Sequence, residues 1–336
     1  MKSRNQELDV VKGMLVFVMV FYHCASMAIE KNSELKIITD NIAFIHYAFV
    51  MITGFLCGWH YLPKFEDKGT TERLKLAIRG TKLLLILLSV NIMVYSFTDI
   101  FDKNKMLEIL YSPSLFLHNF VIMIRGDLVA AEILGYIAFF LFSASILLGL
   151  FNWKSLLIII FFANLLSPHS LSLLFICFGF VGMLFGQMYL LNYHKSVSLL
   201  LDRYNWLSIL IIVFYFLLNP LVQIIKSNPF FLLPIYTLET AIWFTFFVSF
   251  IKYEKRPKLY NLVRLLGKYT LFAYLIQMII IRIGYHLISA FEIEGLYYYL
   301  INLFFSTSLL LLVTYALNYL RKEYDLINRT YVFIFQ

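Results

Sequence analysis

The chain has 336 residues, 61% of them hydrophobic and 14% charged, with a mean hydropathy of +0.79 and a formal net charge of +8. That balance excludes a soluble globule with a large core and points to an integral membrane protein. The basic excess falls between apolar runs rather than in one patch, so it reads as membrane topology and not as a nucleic-acid surface. The runs are too long for barrel strands, which leaves an all-α polytopic helix bundle as the expected fold. Cys24, Cys57 and Cys177 all lie in apolar runs and read as small core residues without a disulfide framework.

The first run, 10–28, is long enough to cross a bilayer, since roughly 20 residues at 1.5 Å rise span about 30 Å. It carries Lys12 and His23, whose directions on a helix differ by only about 20° and whose heights differ by roughly 16 Å. Lys12 can snorkel to a membrane surface, whereas an imidazole at or beyond mid-depth cannot. His23 therefore reads either as a functional group facing a bundle interior or as a histidine satisfied by a neighbouring helix. Small residues at Ser26-Met27-Ala28 imitate a signal-peptidase site, but the run is long for a signal core and reads as a signal anchor.

Nine further spans are expected at 38–62, 79–98, 128–150, 154–166, 171–191, 206–225, 231–251, 268–290 and 296–320, making about ten in one membrane domain, 1–336. Lys and Arg concentrate before span one, in alternate loops and after span ten. The segment 63–82 alone offers Lys64, Lys68, Arg73, Lys75, Arg79 and Lys82. This asymmetry places both termini in the cytoplasm, hence in a multi-pass inner, or cell, membrane protein. The segment 98–127 is long for a loop. Its apolar middle carries His118 and ends near Arg125, so it reads as a re-entrant or interfacial element, or as an ordinary amphipathic loop. Gly179, Gly182 and Gly186 form a stripe suited to close helix packing.

Lys12 followed by ten residues and His23, at the start of such a chain, resembles the R/K-x10-H signature of the membrane acyltransferase-3 family, O-acyltransferases acting on carbohydrates. Phe49-Val50-Met51-Ile52-Thr53-Gly54-Phe55-Leu56 is similar to that family's F…SGF stretch. Arg79-Gly80-Thr81-Lys82 resembles its basic R-x-x-R pair, and Leu266-Gly267-Lys268-Tyr269-Thr270-Leu271-Phe272-Ala273-Tyr274-Leu275 its late LGk.S…Y span. The family often has a histidine shortly after that tyrosine, where this chain has Gln277. Ala131-Glu132-Ile133-Leu134-Gly135-Tyr136 stands where a Trp-Phe-Leu is common and is faintly similar to the DIL.LY of glucan-succinylating relatives.

The resemblance implies transfer of an acyl group, commonly acetyl from acetyl-CoA as co-substrate, to a carbohydrate or lipid-linked hydroxyl. A hydroxyl is a poor nucleophile until a base takes its proton, and a neutral imidazole suits that work near neutral pH. His23 is the candidate, by direct activation of the acceptor or through a transient acyl-histidine. Glu132 is a candidate to orient or charge-stabilise His23, and Tyr22, Tyr274 and Gln277 are candidates to donate to a thioester oxyanion. Lys12, Arg79 and Lys82 are the expected cations for the polyanionic CoA, with Gln277 beside them as a cofactor-binding group. Arg79 and Lys82 stand at i, i+3 and share a helix face. Each also has a plainer reading as topology, helix end or packing.

Glu239, Arg282 and His286 are costly in lipid and expected to point inward, with Glu239 and Arg282 as a structural pair. His46 and His118 read as structural or interfacial. No metal is expected, because no ligand-type residues show tight helical spacing. The expected partners are a glycan acceptor and membrane lipids, with homo-oligomerisation or a polysaccharide-export complex as possible assemblies. The alternative is a secondary transporter or flippase for a glycan intermediate, with His23, Glu239 and Arg282 as its pathway.

Overall fold

The computed structural model describes residues 6–28, 35–97, 132–150, 153–166, 171–190, 228–253, 257–289, 291 and 295–335, with positions 210, 213, 215, 222 and 224–226. These are almost entirely helical, with no strand among the described residues. The helices in chain order are α1 (Gln6–Ala28), α2 (Leu35–Ile42), α3 (Phe44–Leu56), α4 (Leu62–Phe97), α5 (Glu132–Leu147), α6 (Trp153–Leu166), α7 (Leu171–Leu190), α8 (Leu232–Tyr253), α9 (Pro257–Lys268), α10 (Thr270–Ser289), α11 (Gly295–Glu323) and α12 (Asp325–Phe335).

Four helices are long and apolar enough to cross a membrane: Gln6–Ala28, Thr39–Phe65, Thr270–Ser289 and Gly295–Glu323. Shorter apolar helices cover Ile133–Leu147, Lys154–Leu165, Leu173–Tyr189 and Leu232–Phe247. On α6, Ile158, Phe161 and Phe162 are about 60% exposed (58%, 62% and 60%). An outward face of that kind is stable against lipid and unfavourable against water. The expected span at 206–225 and the segment 98–127 with His118 and Arg125 fall largely or wholly outside the described residues.

The basic segment 63–82, expected as a connection between two spans, is helical. A π-helical turn at Cys57–Tyr61 leads from α3 directly into α4. Only Gly69, with φ 22° and ψ −97°, leaves helical geometry, and a residue without Cβ takes that conformation at least cost. Glu72, Arg73, Leu74, Lys75, Leu76 and Ala77 beyond it are strong helix formers, so the chain resumes its helix at once.

The chain divides into two compact units, one of residues 1–45, 198–223 and 238–336, the other of 46–197 and 224–237. In the second unit α4 packs along α5, and α7 lies against α5, α6 and the π-helical turn. Its core gathers Met51, Leu174, Cys177, Phe178, Val181 and Leu233. Tyr136 stacks on Phe175 at 4.0 Å, and Phe140 lies over Gly179. The glycine stripe is the contact surface: a Cβ at Gly179 would enter the Phe140 ring, one at Gly182 the Met51 carbonyl, and one at Gly186 the Phe55 carbonyl. Backbones approach this closely only where side chains are missing.

In the first unit α1 packs against α2, α9, α10 and α11. Gly13 of α1 faces the Val263 carbonyl of α9, and Gly267 of α9 faces the Asp9 carbonyl of α1. Contacts Lys268–Asn318, Gly284–Asn302 and Tyr285–Tyr298 run in opposite numerical senses, so α10 and α11 are antiparallel. Tyr331 of α12 stacks against the Arg321 guanidinium at 3.9 Å, which ties the last helix to α11.

Gly182→Ala should destabilise the protein by about 1–3 kcal/mol, because the new methyl meets backbone that cannot rotate away. Gly80→Ala, whose Cβ meets the edge of the Phe142 ring at 3.2 Å, should cost less. Thermal unfolding in detergent compares the two.

Candidate functional site

α1 runs unbroken from Gln6 to Ala28, so its sequence spacing translates directly into direction. Val16, Met19, Val20 and Cys24 are fully buried, and Lys12 and His23 point within the same arc of the helix. The cation and the imidazole therefore share one side of α1, and both are half-buried. His23 is half-buried with its Nε2 atom inside, and the Tyr22 ring stands edge-on to it at 5.5 Å.

The sequence reading missed Asp9. Its carboxylate is buried, and Oδ1 lies 2.9 Å from Lys12 Nζ, one helical turn away. The signal was local, an acid and a base at i, i+3 inside an apolar run. An ammonium on a buried face needs such a partner, because desolvation otherwise outweighs packing. Further cations gather at this end of the same unit. Arg264 donates to Gln6 Oε1 at 3.0 Å, Lys268 to Asn318 Oδ1 at 3.1 Å, and Arg321 lies 5.3 Å above the Tyr269 ring.

Gln277 of α10 is fully buried, and among the described residues neither its Nε2 nor its Oε1 has a hydrogen-bond partner. Tyr274, one turn before, is buried as well. The residue after His23, Cys24, has its thiol within hydrogen-bond reach of Ser306 on α11, and Ser306 Oγ donates to Asn302 Oδ1 at 3.2 Å. These polar groups of α11 were not singled out from sequence, although Asn302, Ser306 and Thr314 repeat at multiples of four along one apolar run.

The remaining candidates lie elsewhere. Arg79 and Lys82 belong to α4 in the other unit, where Arg79 is exposed with its guanidinium 5.3 Å above the Tyr61 ring. Glu132 is the first residue of α5, and its side chain falls outside the described residues. His46 is half-buried in α3, and His286 is exposed beside Tyr285. The expected Glu239–Arg282 pair does not form. Glu239 accepts a hydrogen bond from Tyr215 at 2.9 Å instead, and Arg282 keeps a buried Nη1 without a hydrogen-bond partner among the described residues. Charge opposition on two helices decides nothing until packing brings the faces together. No three His, Cys, Asp or Glu side chains gather as a metal-binding group among the described residues.

The arrangement has the parts for proton transfer from a hydroxyl, with an imidazole nitrogen on a buried helix face and a cationic rim about one membrane leaflet away. Asp9→Ala should cost about 3 kcal/mol in thermal unfolding, because it removes the carboxylate that Lys12 faces. Adding Lys12→Met should restore most of that loss. No family model matches the chain, and no curated protein or solved structure matches it.

Proposed function

We propose that the chain is a membrane O-acyltransferase that moves an acyl group, commonly acetyl, from cytoplasmic acyl-CoA to a hydroxyl of an envelope or exopolysaccharide sugar. The observation that carries this reading is the placement of Lys12 and His23 on one side of one continuous helix, both half-buried. The cationic rim of Arg264, Lys268 and Arg321 at the Lys12 end adds to it, since a polyanionic nucleotide needs cations where it enters. The resemblance to the acyltransferase-3 family supports it from the sequence side. With it go about ten spans and both termini on the cytoplasmic side of the cell (inner) membrane.

In this mechanism the nucleotide stays at the cationic end while the thioester reaches toward His23. The Lys12 ammonium has three N–H donors, so pairing with Asp9 still leaves donors for phosphate. His23 takes the proton of the acceptor hydroxyl as its oxygen attacks the thioester carbonyl. The C–O bond of the new ester forms, the C–S bond breaks, and the imidazolium returns its proton to the departing CoA thiolate. Tyr22 and Gln277 are the groups proposed to steady the oxyanion.

Purified protein incubated with labelled acetyl-CoA and membrane glycans should pass label to sugar. His23→Ala should lower that transfer by about 10²–10⁴-fold at unchanged thermal stability, and Lys12→Met should raise the KM for acetyl-CoA. Full transfer by well-folded His23→Ala protein would refute the mechanism. Indifference to CoA with sugar-dependent flux would establish the carrier reading in its place.

A further inference from the structure

The two flanks of Gly69 lie side by side. On a straight helix Tyr61 and Arg79 would stand about 27 Å apart. Instead the Arg79 guanidinium lies 5.3 Å above the Tyr61 ring, and that of Arg73 lies 5.1 Å above Phe65. These pairs run in opposite numerical senses, so the bend is a reversal, which the φ of 22° at Gly69 permits. It forms the tip of a helical hairpin inside the second unit. The returning arm opens with four cations, Arg73, Lys75, Arg79 and Lys82, against one carboxylate, Glu72.

That arm sorts its residues by direction. Glu72, Leu76, Gly80 and Leu87 are buried and share an arc of about 80°, toward α5, where a Cβ at Gly80 would meet Phe142. Leu74, Ile78 and Leu85 point the opposite way and are 60%, 47% and 59% exposed. Lys75, Arg79 and Lys82 fall between these faces, in one column that spans about 60° and rises about 10 Å. Lys75 gives Glu72 one of its three N–H donors, and Arg79 is exposed and makes no ion pair among the described residues. Outward apolar side chains at the height of these cations identify the surroundings. Water disfavours Leu74 and Ile78, and hydrocarbon disfavours an ammonium or a guanidinium. The boundary between acyl chains and headgroups suits both.

We infer that this column binds the headgroup of an anionic phospholipid whose acyl chains lie along Leu74, Ile78 and Leu85. Lysine and arginine only donate, and a phosphodiester oxygen only accepts, so the charges and the hydrogen bonds are both complementary. A zwitterionic headgroup brings an ammonium that the column repels. A free anion in water would match the cations and leave the apolar face beside them uncovered. Arg79 and Lys82, expected from sequence as nucleotide partners, serve a lipid instead. The inference uses residues of the second unit alone and does not rest on the acyltransferase reading.

Native mass spectrometry of the purified full chain in neutral detergent, titrated with phosphatidylglycerol or phosphatidylcholine, tests this. The wild-type chain should bind phosphatidylglycerol more tightly. Arg79→Gln and Lys82→Gln should each weaken that binding about fivefold and leave phosphatidylcholine unchanged. Arg79→Lys should keep most of the affinity, and Arg329→Gln, which removes an exposed cation of α12, should keep all of it. Equal wild-type affinity for the two lipids would overturn the site without any variant. So would unchanged phosphatidylglycerol binding in both Gln variants, or an equal loss from Arg329→Gln. Displacement of the lipid by an equal concentration of inorganic phosphate would also overturn it, since a site for free phosphate needs no acyl chains.

Discussion

A charge on the buried face of an apolar helix has to be answered within reach, and the contact between Asp9 and Lys12 is that answer. It lets α1 keep a cation on the same side as His23 without expelling that side from the packed unit. Were the ammonium to turn outward, the helix would have to rotate, and the imidazole would turn with it. The direction of both groups is thus one property of one rigid rod, and the pair at its beginning helps set it.

The rod is held by contacts made without side chains. Gly13 and Gly267 let α1 and α9 approach to backbone contact beside Asp9, and Gly179, Gly182 and Gly186 do the same for α7 in the other unit. In an apolar solvent there is little hydrophobic drive between helices, so dispersion across close-packed backbones becomes the main source of association. A further consequence is rigidity around Asp9, whose carbonyl abuts Gly267 while its carboxylate meets Lys12.

Several cations of the first unit share one end. Lys12, Arg264, Lys268 and Arg321 lie at one end, where carboxylate, amide and aromatic partners meet them. Deeper along α10 and α11 the fully buried polar side chains Gln277, Asn302, Ser306 and Thr314 are amides and hydroxyls. Uncharged groups cost far less to bury than ions, so such a gradient lets polar chemistry extend into an apolar layer.

The amino-acid sequence by itself determined that the chain is helical and rich in apolar runs, of which four are helices long and apolar enough to cross a membrane, and that Lys12 and His23 share a side of their helix. These follow from local periodicity and from the need to satisfy every backbone group in lipid. It also marked the glycine stripe of α7 as a packing surface, because missing side chains can be read directly. Only the tertiary structure decided which faces meet. Glu239 joined Tyr215 rather than Arg282, Ser306 met Cys24, and Gln277 came level with the polar residues of α11. The segment 63–82 continued as helix around a single bend at Gly69, where charge had marked a connection. Periodicity orients a side chain about its own helix axis, whereas its partner depends on register and crossing between helices, which one helix's sequence does not contain.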